Sequence, residues 1–280
     1  MTILKQPPST YENVHGVIIF NKTPEIEKYQ KQKPNWYALS QKKVRDIYKH
    51  QHDLRRKIFQ DDLKKIIATL KKKKLIFLDI GCGDGCGLKD AEIFNDRLDL
   101  YGSDYNLLRL LRAKKSVPSA TIFQADANKE MILPNSCDII LLNHVLEHVP
   151  KDEALLEKIY NYLSPRGYLL LGVPQEGALP YKIRDYIIEP YILFMTDHVH
   201  FYKDTEILTK VKNAGFKIIR LDHFNYAFPH SIIDRYLRQS KRIHDFMEKI
   251  GKKIWPRTGA GALWMVARKS LFLYNKDKTE

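Results

Sequence analysis

From Leu75 to Val173 the chain alternates short apolar runs with helix-like stretches, and this alternation narrows the fold more than any other feature. The runs are "LIFLDI" (75–80), "LDLYGSD" (98–104), "ATIFQAD" (120–126), "CDIILLN" (137–143) and "YLLLGV" (168–173). Each is too short for a buried helix, and most end in a polar residue or glycine, as strands buried on both faces do. Between them "YNLLRLLRAKK" and "DEALLEKIYNYL" carry helical periodicity. The alternation predicts βα units on a doubly wound, mostly parallel α/β sheet. "FKIIRLDHF" (216–224) and "GALWMVARKS" (261–270) supply two further strands and bring the expected total to seven, with a basic helical insertion at about 230–255 between them.

Residues 1–74 read as an N-terminal extension. Its start is marked by Pro7, Pro8, Pro24 and Pro34, after which Val44, Ile47, Tyr48, Leu54, Ile58, Leu63, Ile66 and Ile67 recur at helical spacing. Trp36, Tyr37 and this helix are expected to form a lid over the core at 75–280, so that deleting residues 1–40 would leave the core folded. Lys71–Lys74 is expected to close the helix, its cations opposing the negative end of the helix dipole.

The net charge of +14 admits nucleic acid, an anionic membrane or an anionic substrate as partner and singles out none of them. Three cysteines, Cys82, Cys86 and Cys137, fit a reducing compartment better than a disulfide framework, and their spacing matches no zinc template. The N-terminus lacks a basic-then-apolar signal profile, and no apolar run approaches the ~18 residues of a membrane span. These features together point to the cytoplasm.

Ligands of open α/β sheets bind at the carboxyl ends of the strands, so the residues after each run are the site candidates. The first run leads into "GCGDGCG" (81–87), where glycine permits positive φ and close approach of a ligand to the backbone. A dinucleotide G-x-G-x-x-G fails, because its third glycine falls on Cys86 or Leu88. A phosphate loop fails for want of Gly-Lys-Ser/Thr. Asp79-Ile80-Gly81-Cys82-Gly83-Asp84-Gly85 instead resembles the D/E-x-G-x-G-x-G motif of the class I S-adenosylmethionine-dependent methyltransferases. Asp104 closes the second run, Asp126 closes the third, and "DIILLNHVLEHV" is similar to the family's fourth strand and following loop. The resemblance covers about residues 75–223 and the last strand. It is nearest to the group that methylates small metabolites, quinone precursors and sugars.

The resemblance implies S-adenosylmethionine as cofactor and S-adenosylhomocysteine as product. It implies that Asp79, Gly81, Cys82, Gly83 and Gly85 form the cofactor turn, with Gly81 and Gly83 flanking the methionine moiety. Asp104 would hold the ribose, Tyr105 would pack on the adenine, Asp126 and Ala127 would frame the adenine edge, and Asn143 would line the pocket below the sulfonium. Methyl transfer from a sulfonium is mainly in-line positioning, with a base or metal needed where the acceptor is a hydroxyl. Candidates for that role are His144, Glu147 and His148 in "NHVLEHV" and His198 and His200 in "TDHVHFY". The methyltransferases of ubiquinone biosynthesis carry a divalent metal on E-x-x-E-H in the equivalent loop. His144 replaces the first glutamate here, so the metal-free reading is preferred.

The acceptor is expected to be a small molecule or a glycan or lipid-linked group, methylated at a hydroxyl oxygen and compatible with negative charge. "QEGALPYKIRDYIIEPYILFMT" (175–196) could wall its pocket as well as fill core. Residues 232–257 mix Ile232, Ile233, Tyr236, Leu237, Ile243, Phe246, Met247 and Ile250 with lysine and arginine. The simpler reading packs that apolar side on the domain and solvates the basic side. The alternative lays the helix on an anionic membrane at the inner face. RNA methylation is the competing enzymatic reading, supported by charge but by no RNA-binding module or Asn/Asp-Pro-Pro-Tyr motif. A non-catalytic binder of S-adenosylmethionine is the competing reading of another class.

Overall fold

A computed structural model describes residues 3–5, 11–20, 48–127, 129, 132–192 and 196–270. Trp36 and Tyr37 lie outside the described residues. The strands are β1 (Glu12–Val14), β2 (Val17–Ile19), β3 (Leu75–Ile80), β4 (Leu98–Asp104), β5 (Thr121–Gln124), β6 (Cys137–Asn143), β7 (Leu163–Pro174), β8 (Phe216–Tyr226) and β9 (Ala260–Lys269). Their order in one sheet is β1-β2-β5-β4-β3-β6-β7-β9-β8. Pairing is parallel from β2 through β7, while β1 and β9 run antiparallel to their neighbours. The expected seven strands form the body of this sheet, and β1–β2 extend it by a hairpin beside β5. Helices α1 (Lys49–Thr69), α2 (Cys86–Ala91), α3 (Leu107–Ser116), α4 (Asp152–Tyr162), α5 (Leu179–Ile183), α6 (Asp204–Asn213), α7 (Ser231–Leu237) and α8 (Lys241–Ile254) complete the described architecture.

Two apolar clusters, one on each face, explain why the strands read as nearly continuous apolar runs. One contains Leu78, Ile80, Ile140, Leu142, Leu169 and Leu171 and packs on α4 and α6. The other contains Phe77, Leu100, Ile139, Leu141 and Leu170 and packs on α1 and α3. Residues 11–20 belong to this sheet rather than to a detachable lid. Ile3, Leu4, Val17, Ile18 and Ile19 are buried in the two clusters, so removing residues 1–40 would open both faces of the core.

Lys71–Lys74 does not close a helix. α1 ends at Thr69 with no basic residue in its last turn, and the lysines lie in the link to β3. There Lys72 Nζ sits 2.5 Å from the buried carboxylate of Asp138, and Lys74 pairs with Asp99 at 2.9 Å. Asp138 Oδ2 also accepts the amide of Ile76, so the run fixes the start of β3. α1 is held across the sheet by Asp62, which is buried and accepts from Trp264 Nε1 at 2.9 Å and Arg220 at 2.5 Å. Phe59, on the same helix, packs against Phe77 in a tilted contact and against Trp264 in a T-shaped one.

Candidate active site

A cavity of about 1000 Å³ opens beyond the carboxyl ends of β3, β6 and β7. The first half of α1, residues from 225 to 234, Tyr181 and Arg184 contribute to its walls. Gly81, Cys86 and Gly87 bring the glycine turn to its lining. Gly81, Gly83 and Gly85 have φ of +72°, +53° and +81°, a region that costs a side-chain-bearing residue steric strain. A Cβ on Gly81 would lie 2.3 Å from Val145, so the loop after β6 presses directly on this turn.

Asp104 latches the turn. Its Oδ2 accepts the amide of Gly83 and its Oδ1 the amide of Asn106, both at 2.9 Å. A carboxylate has about four acceptor positions, so two remain for ligand hydroxyls. Burial raises the Asp104 carboxyl above the usual range, although Arg109 opposes the shift. Arg109 is itself held 3.3 Å from Asp84. Asp79 lies beneath α2, where its Oδ2 would be 2.5 Å from a Cβ on Gly87, and burial followed by the charge of Asp104 pushes its carboxyl well up. The Cys82 side chain is turned into the sheet against Gly102, and its backbone is held by the fold, its amide donating to the Ser103 carbonyl and its carbonyl accepting the Gly85 amide, both at 2.9 Å.

Tyr105 follows β4, and its carbonyl accepts from Gln124 Nε2 at 2.8 Å. Asp126 and Ala127 follow β5 and are half-buried. Asp104 and Gln124 are register partners, so the Asp104 and Asp126 sides of the site stand at adjacent strand ends. Asn143 ends β6 and lies over Gly172, where its Oδ1 is buried with no hydrogen-bond partner among the described residues. A glycine cradle, a buried carboxylate with spare acceptor capacity and an orphaned buried amide oxygen together suit a ribose-bearing, cationic ligand such as S-adenosylmethionine.

The catalytic candidates separate into two groups. His144, Glu147, His148 and His198 all line the cavity. His200 stands apart, donating from Nε2 to the carbonyl of Val149 at 3.1 Å and stacking on Tyr202. His144 adopts φ +56°, which turns it out of β6 toward the cavity. Its Nδ1 lies 3.1 Å from Glu147 Oε1, and no described residue bonds its Nε2. Burial, then the charge of Arg55, lowers the His144 imidazole below its ordinary value. Glu147 is fully buried and its Oε2 has no partner among the described residues. Burial would raise its carboxyl, but the hydrogen bond and charge of His144 leave it net lowered.

His198 Nδ1 pairs with Glu176 at 2.6 Å, and His148 Nδ1 lies 3.1 Å from Asp197. Burial works against the charged form of His148, and Asp197 with Glu147 outweighs it, so His148 is net raised. Ligand atoms of Glu147, His148 and His198 lie within 4.8 Å of one another, and these three residues could hold a metal ion.

Arg55, on α1, is the cavity residue that the sequence reading missed. It is half-buried, stands over the Phe224 ring at 5.8 Å, and its Nε has no partner among the described residues. Loss of solvent pulls its guanidinium down to about 10 against the opposing charge of Glu147, so it remains a cation at neutral pH. Helical periodicity alone could not have found it, since it says nothing of which face of α1 covers the strand ends. Glu176 and Asp197 were missed as individual residues as well, although each lies inside a segment that had been singled out.

Comparison with known proteins agrees with this geometry. A ubiquinone biosynthesis O-methyltransferase of Chromobacterium violaceum is 22% identical over 168 residues, covering 57% of this chain and 71% of that protein. Phosphoethanolamine N-methyltransferase 2 of Caenorhabditis elegans is 21% identical over 188 residues, covering 63% of this chain and 40% of the relative. Among solved structures, a methyltransferase from Thermotoga maritima superposes with a TM-score of 0.57 at 14% identity, over 88% of this chain and all of that one, and shows the shared fold. The family model described as a methyltransferase domain matches residues 50–221, more than half of the chain. The chain therefore belongs to the methyltransferase-domain family and is a class I S-adenosylmethionine-dependent methyltransferase.

Proposed function

We propose that the protein transfers a methyl group to a hydroxyl oxygen of a small-molecule, glycan or lipid-linked acceptor, with His144 as general base. The observation that carries this reading is the His144–Glu147 pair in the cavity wall beside the glycine turn. Bound S-adenosylmethionine supplies an electrophilic methyl group on a sulfonium. Glu147 accepts the Nδ1 proton of His144, which fixes the tautomer and leaves Nε2 as the basic nitrogen. The lowered imidazole is neutral at pH 7 and ready to take a proton. The acceptor hydroxyl gives its proton to Nε2 while its oxygen bonds the methyl carbon, the carbon–sulfur bond breaks, and S-adenosylhomocysteine leaves. Arg55 faces the same space and suits an acceptor that carries a carboxylate or phosphate. The names of the bacterial and nematode relatives support oxygen as acceptor atom and negative charge on the acceptor, respectively.

One observation favours a second reading. Glu147, with its orphaned oxygen, His148 and His198 would together hold a divalent cation able to polarise the acceptor hydroxyl. Glu176 and Asp197 would orient the two imidazoles from behind.

The test is production of S-adenosylhomocysteine with a panel of hydroxyl acceptors, with and without chelator. In the base reading, His144→Ala and Glu147→Gln lower turnover roughly 10²–10⁴-fold at unchanged S-adenosylhomocysteine affinity, and the chelator has no effect. Full turnover in His144→Ala overturns that reading. Loss of turnover on chelation, restored by added divalent cation, selects the metal.

A further inference from the structure

Three neighbouring segments beside the cavity are built inside out. In α8 the residues turned to the domain are His244, Glu248 and Gly251. Glu248 accepts the amides of Asn225 and Tyr226 at 3.1 and 3.0 Å, and the Tyr226 ring occupies the space where a Gly251 Cβ would stand. The large apolar residues face outward. Ile243, Phe246, Ile250 and Ile254 follow one another at three- and four-residue spacing along one stripe, Trp255 continues it, and Phe246 and Trp255 are 62% and 61% exposed. α7 repeats the arrangement. Asp234 is buried and salt-bridged to the fully buried Arg238 at 2.8 Å, while Ile232, Ile233 and Tyr236 are exposed. In residues 183–191, Asp185 and Glu189 are buried while Ile183, Tyr186, Ile187, Ile188 and Tyr191 are exposed. Glu189 accepts the amide and hydroxyl of Ser231, both at 2.7 Å, which joins this segment to α7. The simpler expectation, an apolar side packed on the domain, is thereby reversed: polar groups fasten these helices and apolar groups face solvent.

We propose that this surface docks on an anionic lipid bilayer. A surface helix normally turns its apolar stripe inward, so outward stripes on three joined segments mark a face that is covered in use. The charge pattern chooses the occupant. Lys241, Arg242, Lys249, Lys252 and Lys253 are exposed on α8, against Asp245 as its exposed acid. On a helical projection Arg242, Lys249 and Lys253 flank the apolar stripe, where long cationic side chains reach headgroups while the stripe enters the acyl boundary. The same cations oppose a second copy of the chain, since two such faces would bring like charges together. The cavity walls include Arg184, Ser231 and Asp234 from two of these segments, so the docked face adjoins the cavity.

The experiment is flotation of the full chain with vesicles of phosphatidylcholine alone or mixed with phosphatidylglycerol, together with Trp255 fluorescence. The parent is expected to float with the mixed vesicles, with a blue shift as Trp255 leaves water. Changing Lys241, Arg242, Lys249, Lys252 and Lys253 to glutamine should weaken that binding on the order of a hundredfold, and high salt should act in the same direction. Phe246→Ser with Ile254→Ser should abolish flotation on both vesicle types. Unchanged S-adenosylhomocysteine affinity in each variant shows that the fold is intact, whatever the acceptor proves to be. Failure of the parent to bind mixed vesicles overturns the proposal. If the parent is then a dimer that Phe246→Ser with Ile254→Ser dissociates, the face belongs to a second copy; if it is a monomer, the face belongs to a protein partner.

Discussion

Replacing Asp104 with alanine would separate two roles that its carboxylate combines. In the fold it accepts the amides of Gly83 and Asn106, each at 2.9 Å. A buried amide left without an acceptor costs about 1–3 kcal/mol if it stays dry. The space vacated by the carboxylate is polar and large enough to admit water, which brings the pair to the low end, about 2–3 kcal/mol of stability. Arg109 is not orphaned, because Asp84 stays 3.3 Å away. In the complex the two remaining acceptor positions would serve the ribose hydroxyls. Losing those charged hydrogen bonds should cost a further ~1–3 kcal/mol, or roughly 5- to 150-fold in Kd. Calorimetry with S-adenosylhomocysteine reads the second quantity, and thermal unfolding of the same protein reads the first. Asp104→Asn sharpens the comparison. It keeps one acceptor oxygen but sets an amide N–H against a backbone N–H, so stability should fall as in the alanine variant while affinity falls less. An alanine variant that loses stability yet binds within about twofold of the parent would leave Asp104 as a turn latch and refute the ribose assignment.

Arg55→Met should displace the acid limb of the turnover profile. Burial and then Arg55 hold His144 below its ordinary value, and turnover falls as pH drops through that value, so removing the cation should move the limb to higher pH and raise KM for an anionic acceptor. An unmoved limb across roughly pH 5–8 would disconnect Arg55 from the base. Arg238→Met strands Asp234 and Glu248, which keep backbone donors from Phe228, Asn225 and Tyr226. The cost should therefore sit near the low end for a broken buried pair, about 3 kcal/mol, read as roughly hundredfold faster hydrogen exchange in α7 and α8. Adding Asp234→Asn and Glu248→Gln should recover most of it, and less than a tenfold change in the single variant would refute the ion pair as the anchor.

Strands β3, β4 and β6 carry the bounds that their apolar runs announce, because an aspartate, a glycine or an asparagine ends each run where the chain leaves the sheet. The hairpin β1–β2 escaped because three-residue strands are too short for periodicity to register. Its turn at His15 and Gly16, with φ of +49° and +84°, was nonetheless marked by "HG" between "ENV" and "VII". At the site, the glycine turn and the acids at successive strand ends were legible because they lie next to the strands that place them. Arg55 was not, because its position depends on contacts between α1 and strands distant in sequence, such as Asp62 with Arg220 and Trp264, which lie 158 and 202 residues away. The direction of the 232–254 stripe was hidden for a related reason. Periodicity shows that a helix has an apolar side, and only the polar partners of Glu248 and Asp234 show which side is fastened.

β8 and β9 are antiparallel neighbours, and everything between Tyr226 and Ala260 is one excursion that leaves and rejoins the same sheet edge. The entropic cost of closing such an excursion grows slowly, by about 0.6 kcal/mol for each doubling of its length. The two strands keep their register whatever is hung between them; the glycine turn and Asp104 stand on β3 and β4, with β6 and β7 between them and this edge, while the excursion contributes Ala227, Phe228, Ser231 and Asp234 to the wall of the shared cavity. Natural variation can therefore lengthen, shorten or replace the excursion without re-inventing methyl donation. For engineering, it marks a cassette: exchange between Tyr226 and Ala260 is the natural cut for moving an acceptor preference from one such enzyme to another.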